Sequence, residues 1–220
     1  MDRPDADPVQ LGRALGYLRW INRVLRYTRT TIGHLERFSK RWKPGERITI
    51  IDFATGSADV PRAILRWAKR RGFDVRVTGI DLHLQTARFA LAQGTAPGLS
   101  IVRADALSLP FEAGSFDYAI TGLFLHHLSD EQAVDVLRAM DRVSRRGMIV
   151  GDLVRNWRAY TWINLLTLRA NPMVRHDACV SVAQAFTRTE AEALRDRAGL
   201  RYLRYTRHMA HRFTLAGEKV

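Results

Sequence analysis

Short runs of apolar residues alternate, along the middle of the chain, with longer segments in which apolar residues recur at helical spacing. A short, continuous apolar run is typical of a strand buried on both faces of a parallel sheet. Five such strands are predicted: Ile48–Phe53, Val75–Ile80, Ser100–Arg103, Phe116–Thr121 and Met148–Asp152. Helices are predicted between them: Asp59–Arg71, Leu84–Gln93, and a third from an N-cap at Ser129 to Arg145, ended by Gly147. This alternation predicts an α/β fold with a doubly wound parallel sheet.

The segments that flank this α/β body are predicted to be mainly helical. Apolar residues recur at helical spacing through Val9–Trp42, where Gly33 favours two helices over one. Leu153–Phe186 contains no clean strand. A capping box at Thr187 and Glu190 starts a helix that runs to Ala198. The two closing strands, which are predicted to form an antiparallel hairpin, are Arg201–Thr206 and His211–Leu215.

A chain of 220 residues suits one domain with one sizeable core. We expect the seven strands to form one mostly parallel sheet that ends in the C-terminal antiparallel hairpin. The parts of this single domain, 1–220, are an N-terminal helical arm (1–45), a core (46–152), an insertion (153–186) and a closing helix with the hairpin (187–220).

The composition excludes several classes of protein. The single cysteine, Cys179, excludes a disulfide framework and a zinc site built from several cysteines, and no metal is expected. The acidic, proline-containing start, Met1–Pro8, differs from a signal peptide. No apolar run reaches the roughly 18 residues that a membrane helix needs. We therefore expect a cytoplasmic protein.

The formal net charge of +13 allows two interpretations. A chain this basic can bind nucleic acid or an anionic membrane. The arginines, however, are spread from Arg3 to Arg212, and scattered charge favours solvated helix faces over a specific site for a polyanion. The segment Leu11–Arg41 interleaves arginines with apolar residues, and it is our candidate for a weak contact with a membrane surface.

Carboxylates follow three successive strands of the predicted sheet. Asp52 ends the first strand and is followed by a turn of small residues around Gly56; Asp81 ends the second strand, and Asp105 comes just after the third. Ligands of open α/β sheets bind at the carboxyl ends of the strands, where these side chains meet. Small turn residues let a ligand approach the backbone, and a strand-end carboxylate can accept hydrogen bonds from ribose hydroxyls.

Four ordered segments carry a resemblance to the class I methyltransferases: Ile50–Asp59, Thr78–Leu82, Arg103–Phe111 and Phe116–Leu128. The resemblance extends over Ile48 to Asp152. It is strongest to the small-molecule branch, which includes enzymes of ubiquinone and menaquinone biosynthesis. It implies a Rossmann-like fold and S-adenosyl-L-methionine as the cofactor.

The resemblance also implies which residues bind that cofactor. They are Asp52, the turn residues Ala54, Gly56 and Ser57 at the methionine part, Asp81 at the ribose, Leu82 at the adenine, Asp105 and Ala106 at the adenine amino group, and Thr121 and Gly122 at the sulfonium. This chain has Ala54 and Ala58 where the family usually has glycines. Because alanine disfavours positive φ, we expect a slightly wider turn and a weaker affinity for the cofactor.

The acceptor side is predicted from polar residues beyond the fourth and fifth strands. The candidate catalytic residues are His127 of the His126–His127 pair, Asp152 and His176. A histidine near the methyl donor can deprotonate an acceptor hydroxyl. The candidate acceptor-binding residues are Arg155, Trp162, Arg175 and Asp177. Apolar residues of the insertion, Trp157 and Leu165 among them, are expected to roof an apolar pocket.

These observations favour methyl transfer to an oxygen or carbon of a hydrophobic or aromatic small molecule, such as a polyketide or quinone precursor of secondary metabolism. An RNA or DNA methyltransferase is the alternative, motivated by the charge. Against it, Thr121–Phe124 stands where amino-directed enzymes of nucleic acids carry an Asn-Pro-Pro-aromatic signature. A third interpretation is a non-catalytic module that binds an anionic surface. Monomer and homodimer are both open.

Overall fold

The computed structural model describes residues 27–94, 96–167, 172–209 and 211–219, together with Gly16. Its helices are α1 (Tyr27–Phe38), α2 (Asp59–Arg71), α3 (Leu84–Ala92), α4 (Asp130–Val143), α5 (Trp157–Leu166), α6 (Pro172–Gln184) and α7 (Arg188–Arg197). Its strands are β1 (Arg47–Phe53), β2 (Asp74–Asp81), β3 (Leu99–Arg103), β4 (Phe116–Gly122), β5 (Ser144–Leu153), β6 (Arg204–His208) and β7 (Arg212–Glu218). Two short 3-10 helices lie at Ser39–Arg41 and Leu125–His127.

The seven strands form one sheet in the order β3-β2-β1-β4-β5-β7-β6. Strands β1 to β5 run parallel, and β7 is antiparallel to both of its neighbours. The predicted fold class is therefore confirmed. The strand order reverses between β1 and β4, and their carboxyl ends pair at Phe53 and Thr121. A crevice at such a reversal is where doubly wound sheets bind their ligands.

Alternation along β1 explains why the sheet is covered on both faces. Ile48 and Ile50 belong to a core cluster that includes residues of α1 and α2. Ile51 and Phe53 belong to a second cluster, which includes residues of α4 and α7. Because successive side chains of a strand point to opposite faces, one apolar run supplies both cores.

The boundary between α4 and β5 differs from the prediction. The helix ends at Val143, two residues early, and β5 begins at Ser144. The buried carboxylate of Asp117 accepts a hydrogen bond from Nε of Arg145 at 2.8 Å and forms an ion pair with Nε of Arg146 at 2.8 Å, and these contacts draw the two arginines into the sheet. Gly147 does not end the helix; it lies inside β5, where a Cβ atom would clash with the backbone of β7 at Gly217.

The first strand of the closing hairpin was predicted three residues too early. Tyr202 lies in a turn, and β6 starts at Arg204. Two leucines on either side of this turn, Leu200 and Leu203, are buried in the core. The hydroxyl of Tyr202 donates a hydrogen bond to Oδ1 of Asp141 on α4, at 2.6 Å. The alternating pattern of this segment predicts a strand, but the burial of Leu200 and Leu203 keeps it in a turn.

Helix α1 and the 3-10 helix at Ser39–Arg41 belong to the predicted arm, and most of Val9–Tyr27 lies outside the described residues. Helix α1 continues through Gly33, so the prediction that this glycine separates two helices is wrong. Leu35 on α1 is fully buried, and Phe38 stacks on Tyr118 of β4 with ring centroids 5.3 Å apart. Nε2 of His34 lies 2.8 Å from the hydroxyl oxygen of Thr214 on β7. Burial, with Arg37 and His208 nearby, lowers the pKa of His34 to about 4, so this contact is made by a neutral imidazole at pH 7.

Within the described ranges, no helix has the length and apolar character needed to cross a bilayer.

Candidate active site

The turn after β1 is tight, in contrast to the wider turn predicted from its alanines. Ala54, Gly56 and Ala58 adopt left-handed backbone conformations, with φ of 52°, 55° and 55°. The turn is closed by hydrogen bonds from the Ala58 amide to the Thr55 carbonyl (2.9 Å) and from the Thr55 amide to the carbonyl of Ile80 on β2 (2.8 Å). The alanines therefore keep the tight geometry, and the cost is conformational strain.

Replacing Ala58 with glycine is expected to leave the stability of the fold nearly unchanged. Ala58 is the N-cap of α2 at φ 55° and ψ 32°, a conformation that costs an L-residue about 1–2 kcal/mol. Glycine removes that strain but loses about 0.5–1 kcal/mol of backbone entropy and, because Ala58 is fully buried, about 0.8 kcal/mol from burial of the methyl group. The net change is therefore expected to lie within about 1 kcal/mol of zero. The free energy of unfolding in urea measures the difference.

Ala63→Gly, in the interior of α2, is the matched control, because it carries the entropic cost without relief of strain. It is expected to destabilise the fold by about 1 kcal/mol. Equal losses in the two variants would contradict the strained turn.

Two aspartates, Asp52 and Asp81, accept hydrogen bonds from residues of this turn. Oδ2 of the buried Asp52 accepts a hydrogen bond from the Thr55 hydroxyl at 2.7 Å. Burial, with Asp59 and Asp81 nearby, raises the pKa of Asp52 to about 8, and the bond from Thr55 only partly offsets this. The carboxylate of Asp81 accepts hydrogen bonds from the amides of Gly56 (3.0 Å) and His83 (3.1 Å). Asp81 therefore fastens the end of β2 to the turn after β1.

The residues predicted around adenine lie at the next strand ends. The side chains of Leu82 and Asp105 are exposed, and Ala106 is half-buried. Oδ1 of Asp105 accepts a hydrogen bond from the Leu107 amide at 2.9 Å. Nε of Arg103 donates to the Leu82 carbonyl at 3.0 Å and so connects the β2 and β3 ends.

Thr121 has a different setting from the predicted one. Its side chain is buried, and its hydroxyl donates a hydrogen bond to the Phe53 carbonyl on β1 at 3.0 Å. The hydroxyl thus holds β4 against β1 and is not directed at a sulfonium. Gly122, the next residue, is half-buried at the end of β4.

These residues fit S-adenosylmethionine. A Cβ atom at Gly56 would meet no atom within 4 Å, so the space over the turn is open. Ser57 in the same turn is buried, and its hydroxyl donates a hydrogen bond to Oδ1 of Asp59 at 3.3 Å. The carboxylates of Asp81 and Asp105 can accept hydrogen bonds from ribose hydroxyls and from an amino group, and exposed Leu82 offers an apolar surface for a base.

A buried histidine–aspartate pair lies at the ends of β4 and β5. Nδ1 of His126 is 2.6 Å from Oδ1 of Asp152, and both side chains are almost fully buried. The amides of His126 and Leu153 donate to the same carboxylate at 3.2 and 2.7 Å. Burial alone would raise the pKa of Asp152, but His126 and these hydrogen bonds outweigh burial and hold that pKa below its ordinary value.

A cavity of about 380 Å³ lies against this pair. Its lining comes from the segment after β4, the start of α4, the ends of β5 and α6, and α7: His126, His127, Leu128, Ser129, Asp130, Arg155, Gln184, Phe186 and Glu190. His127 is exposed, with its ring centroid 4.2 Å from that of His126. Arg155 forms an ion pair with Glu190 at the cavity wall. Of the buried pair, His126 lines the cavity, and none of the predicted cofactor-binding residues is part of the lining.

The insertion departs in part from its predicted role. Arg175 is exposed on α6, and the side chains of Trp162, His176 and Asp177 lie outside the described residues. Trp157 and Leu165 are exposed on α5 and are absent from the cavity lining, so they do not roof it.

The pairing of His126 with Asp152 was not predicted, because His127 and not His126 was the candidate catalytic residue of the histidine pair. A signal was available: adjacent parallel strands bring their carboxyl ends together, and these two residues follow β4 and end β5.

The sheet and the strand-end residues define the class: this is a class I methyltransferase fold. Residues 45–150 match the family described as a methyltransferase domain.

Two curated relatives are similar over this region. The 2-phytyl-1,4-naphtoquinone methyltransferase of Trichormus variabilis is 40% identical over 92 residues, which are 40% of this chain and 38% of the relative. The demethylmenaquinone methyltransferase of Roseiflexus castenholzii is 33% identical over 103 residues, or 47% and 41% of the two chains. The matched region thus spans about two fifths of the length of each relative.

A solved structure extends the similarity of fold to most of the chain. The SAM-dependent methyltransferase of Aquifex aeolicus (SAM is S-adenosylmethionine) superposes with a TM-score of 0.60 at 16% identity. The superposition covers 84% of this chain and 89% of that chain.

Proposed function

We propose that the chain transfers the methyl group of S-adenosylmethionine to an oxygen or carbon of a hydrophobic, aromatic small molecule. The observation that carries this proposal is the set of polar groups at the carboxyl ends of the parallel strands. Carboxylates and an open turn at Gly56 lie at the ends of β1 to β3, and the buried pair His126 and Asp152 lies at the ends of β4 and β5, where His126 also lines a cavity.

The acceptor class is proposed from the relatives. Both act on naphthoquinone-type rings according to their names, and one of those rings carries a phytyl chain. We infer a quinone-like or polyketide-like acceptor for this chain. The volume of the cavity, about 380 Å³, suits an aromatic ring, since ligand pockets commonly measure about 300–1,000 Å³.

When bound, S-adenosylmethionine supplies an electrophilic methyl group on a positively charged sulfur. The residues of the chain position the reactants and move one proton. Asp81 orients the ribose, and Asp52 and the Gly56 turn hold the methionine end. In this proposal Nε2 of His126 takes the proton from an acceptor hydroxyl or carbon, because Asp152 engages Nδ1.

Asp152 holds the imidazole ring in one orientation and stabilises the imidazolium that forms when the proton moves. His127 and Arg155 contact the acceptor at the cavity wall. Arg175, Trp162, His176 and Asp177 stay proposals for acceptor contact on the insertion.

Calorimetric titration with S-adenosylmethionine and S-adenosylhomocysteine tests the first part of the proposal, and micromolar binding of both is expected. The second part is tested with S-adenosylmethionine labelled in its methyl group, offered together with reduced 2-alkyl-naphthoquinones, RNA or duplex DNA. Label is expected in the quinol. Absence of cofactor binding would contradict the methyltransferase proposal, and label found in nucleic acid alone would contradict the acceptor class.

A further inference from the structure

Helix α5 exposes one apolar face. Trp157, Tyr160 and Leu165 are 73%, 47% and 60% exposed, and at 3.6 residues per turn they fall within the same half of the helix surface. Ala159, on the other side, is buried. A face with two aromatic residues and a leucine in water is unfavourable unless a partner covers it.

The tip of the β6–β7 hairpin lies beside the start of this helix. The Val154 amide, three residues before α5, donates a hydrogen bond to the His211 carbonyl at 2.8 Å. Burial and the nearby positive charges of Arg207 and Arg158 lower the pKa of His211, so both arginines lie near this tip. Met209, at the tip, is 92% exposed. The apolar face of α5 and Met209 therefore lie at the same edge of the sheet, the edge that holds the cavity.

The two segments of the chain that carry this surface contain cationic side chains and no carboxylates. The segments 153–176 and 200–215 contain no aspartate or glutamate, although they include eight arginines. Arg158 and Arg207 are exposed. The guanidinium of Arg158 lies 5.3 Å from the ring centroid of Trp157, so apolar and cationic groups are intermixed.

We propose that this surface, formed by Trp157, Tyr160, Leu165 and Met209 with Arg158 and Arg207, docks the chain on an anionic lipid bilayer. Tryptophan and tyrosine favour the membrane interface, and arginines beside them pair with lipid phosphates. A face that mixes apolar side chains with cations and carries no carboxylates fits a bilayer better than a nucleic acid, which offers a wholly charged backbone.

The docked orientation turns the cavity edge of the sheet toward the lipid. A role of this docking in delivering a lipid-like acceptor rests on the proposed function, whereas the docking itself does not. The location differs from the Leu11–Arg41 segment predicted from the sequence, since α5 and the hairpin belong to the C-terminal third of the chain.

The test is co-sedimentation of the full chain, without cofactor or acceptor, with phosphatidylcholine vesicles that contain or lack phosphatidylglycerol. The wild type is expected to bind only the anionic vesicles. The double variant Trp157→Ala/Leu165→Ala is expected to lower the partition coefficient about tenfold or more, since each side chain loses its burial in the interface. Arg158→Ala and Arg207→Ala are each expected to lower it about fivefold.

Leu91→Ala on α3 and Arg70→Ala on α2 are the matched controls, because they remove an exposed leucine and an exposed arginine elsewhere on the surface. Both are expected to bind like the wild type. A blue shift of tryptophan emission on anionic vesicles, lost in Trp157→Phe, would locate the contact on α5.

Three results would overturn the proposal: a wild type that stays in the supernatant at low salt, surface variants that bind as well as the controls, or a change of oligomeric state in the surface variants without vesicles. The second would leave the Leu11–Arg41 segment as the contact, and the third would identify a second copy as the partner. Calorimetry with S-adenosylmethionine on the same variants is expected to match the wild type. A failure of cofactor binding would therefore affect the proposed function and not this result.

Discussion

Asp81→Ala is expected to weaken S-adenosylmethionine binding at least about a hundredfold, because hydrogen bonds to a charged group contribute about 1.5–3 kcal/mol each. The substitution removes the proposed acceptor of the ribose hydroxyls. It also releases the Gly56 and His83 amides that the carboxylate holds at 3.0 and 3.1 Å. Both losses act on the bound state, so the calorimetric Kd measures them.

Asp81→Asn separates the two losses, since an amide oxygen still accepts one hydrogen bond but carries no charge. An intermediate affinity is expected. Asp74→Ala, at the opposite end of β2, is the control for removal of a carboxylate from the same strand, and it is expected to bind like the wild type. Normal binding by Asp81→Ala would remove the central assignment of the cofactor site.

Asp152→Asn is expected to lower kcat by about 10²- to 10⁴-fold, the range that general acid–base catalysis contributes, while the Kd for S-adenosylmethionine stays the same. The amide fills the space of the carboxylate, but it offers no negative charge to the imidazolium of His126. Single-turnover transfer to the quinol, at saturating cofactor, measures the effect.

Asp135→Asn, an exposed residue on α4, is the control for the charge change. His126→Ala is a harsher test, because it leaves the Asp152 carboxylate buried without its partner, a loss of about 3–5 kcal/mol of stability. Its folding must be verified by circular dichroism first. Full turnover in Asp152→Asn, with a loss in His176→Ala or His127→Ala, would move the base to one of those histidines.

The fold was largely predictable because strand burial leaves a clear pattern. The runs at β1 and β4 are apolar on both faces, and the capping boxes at Ser129 and Thr187 fix the starts of α4 and α7. The errors fall where tertiary contacts override local pattern. Buried Asp117 extends β5 backward, and the buried turn at Leu200–Leu203 delays β6.

The residues of the candidate site also divide into those that the sequence predicts and those that it does not. Strand-end carboxylates such as Asp81 are predictable, since position in a parallel sheet determines where they meet. The pairing of His126 with Asp152, and the use of the Thr121 hydroxyl to hold β1, depend on side-chain orientation, which a sequence pattern does not contain. The positive φ of Ala54 and Ala58 opposes the local preference of alanine, so it had to be observed.

The buried carboxyl of Asp52 connects the folding equilibrium, the pH and the charge of the ligand. Its pKa is about 8 in the folded protein against an ordinary value of 3.8, so between these limits the folded chain retains a proton that the unfolded chain releases. The stability contributed by this group is complete at acidic pH and is lost as the pH rises through the folded pKa. A cation that binds beside Asp52 favours its ionised form and expels that proton. Under the proposed function, the proton therefore neutralises the carboxylate of Asp52 in the free protein, and the positively charged sulfonium of the ligand takes its place.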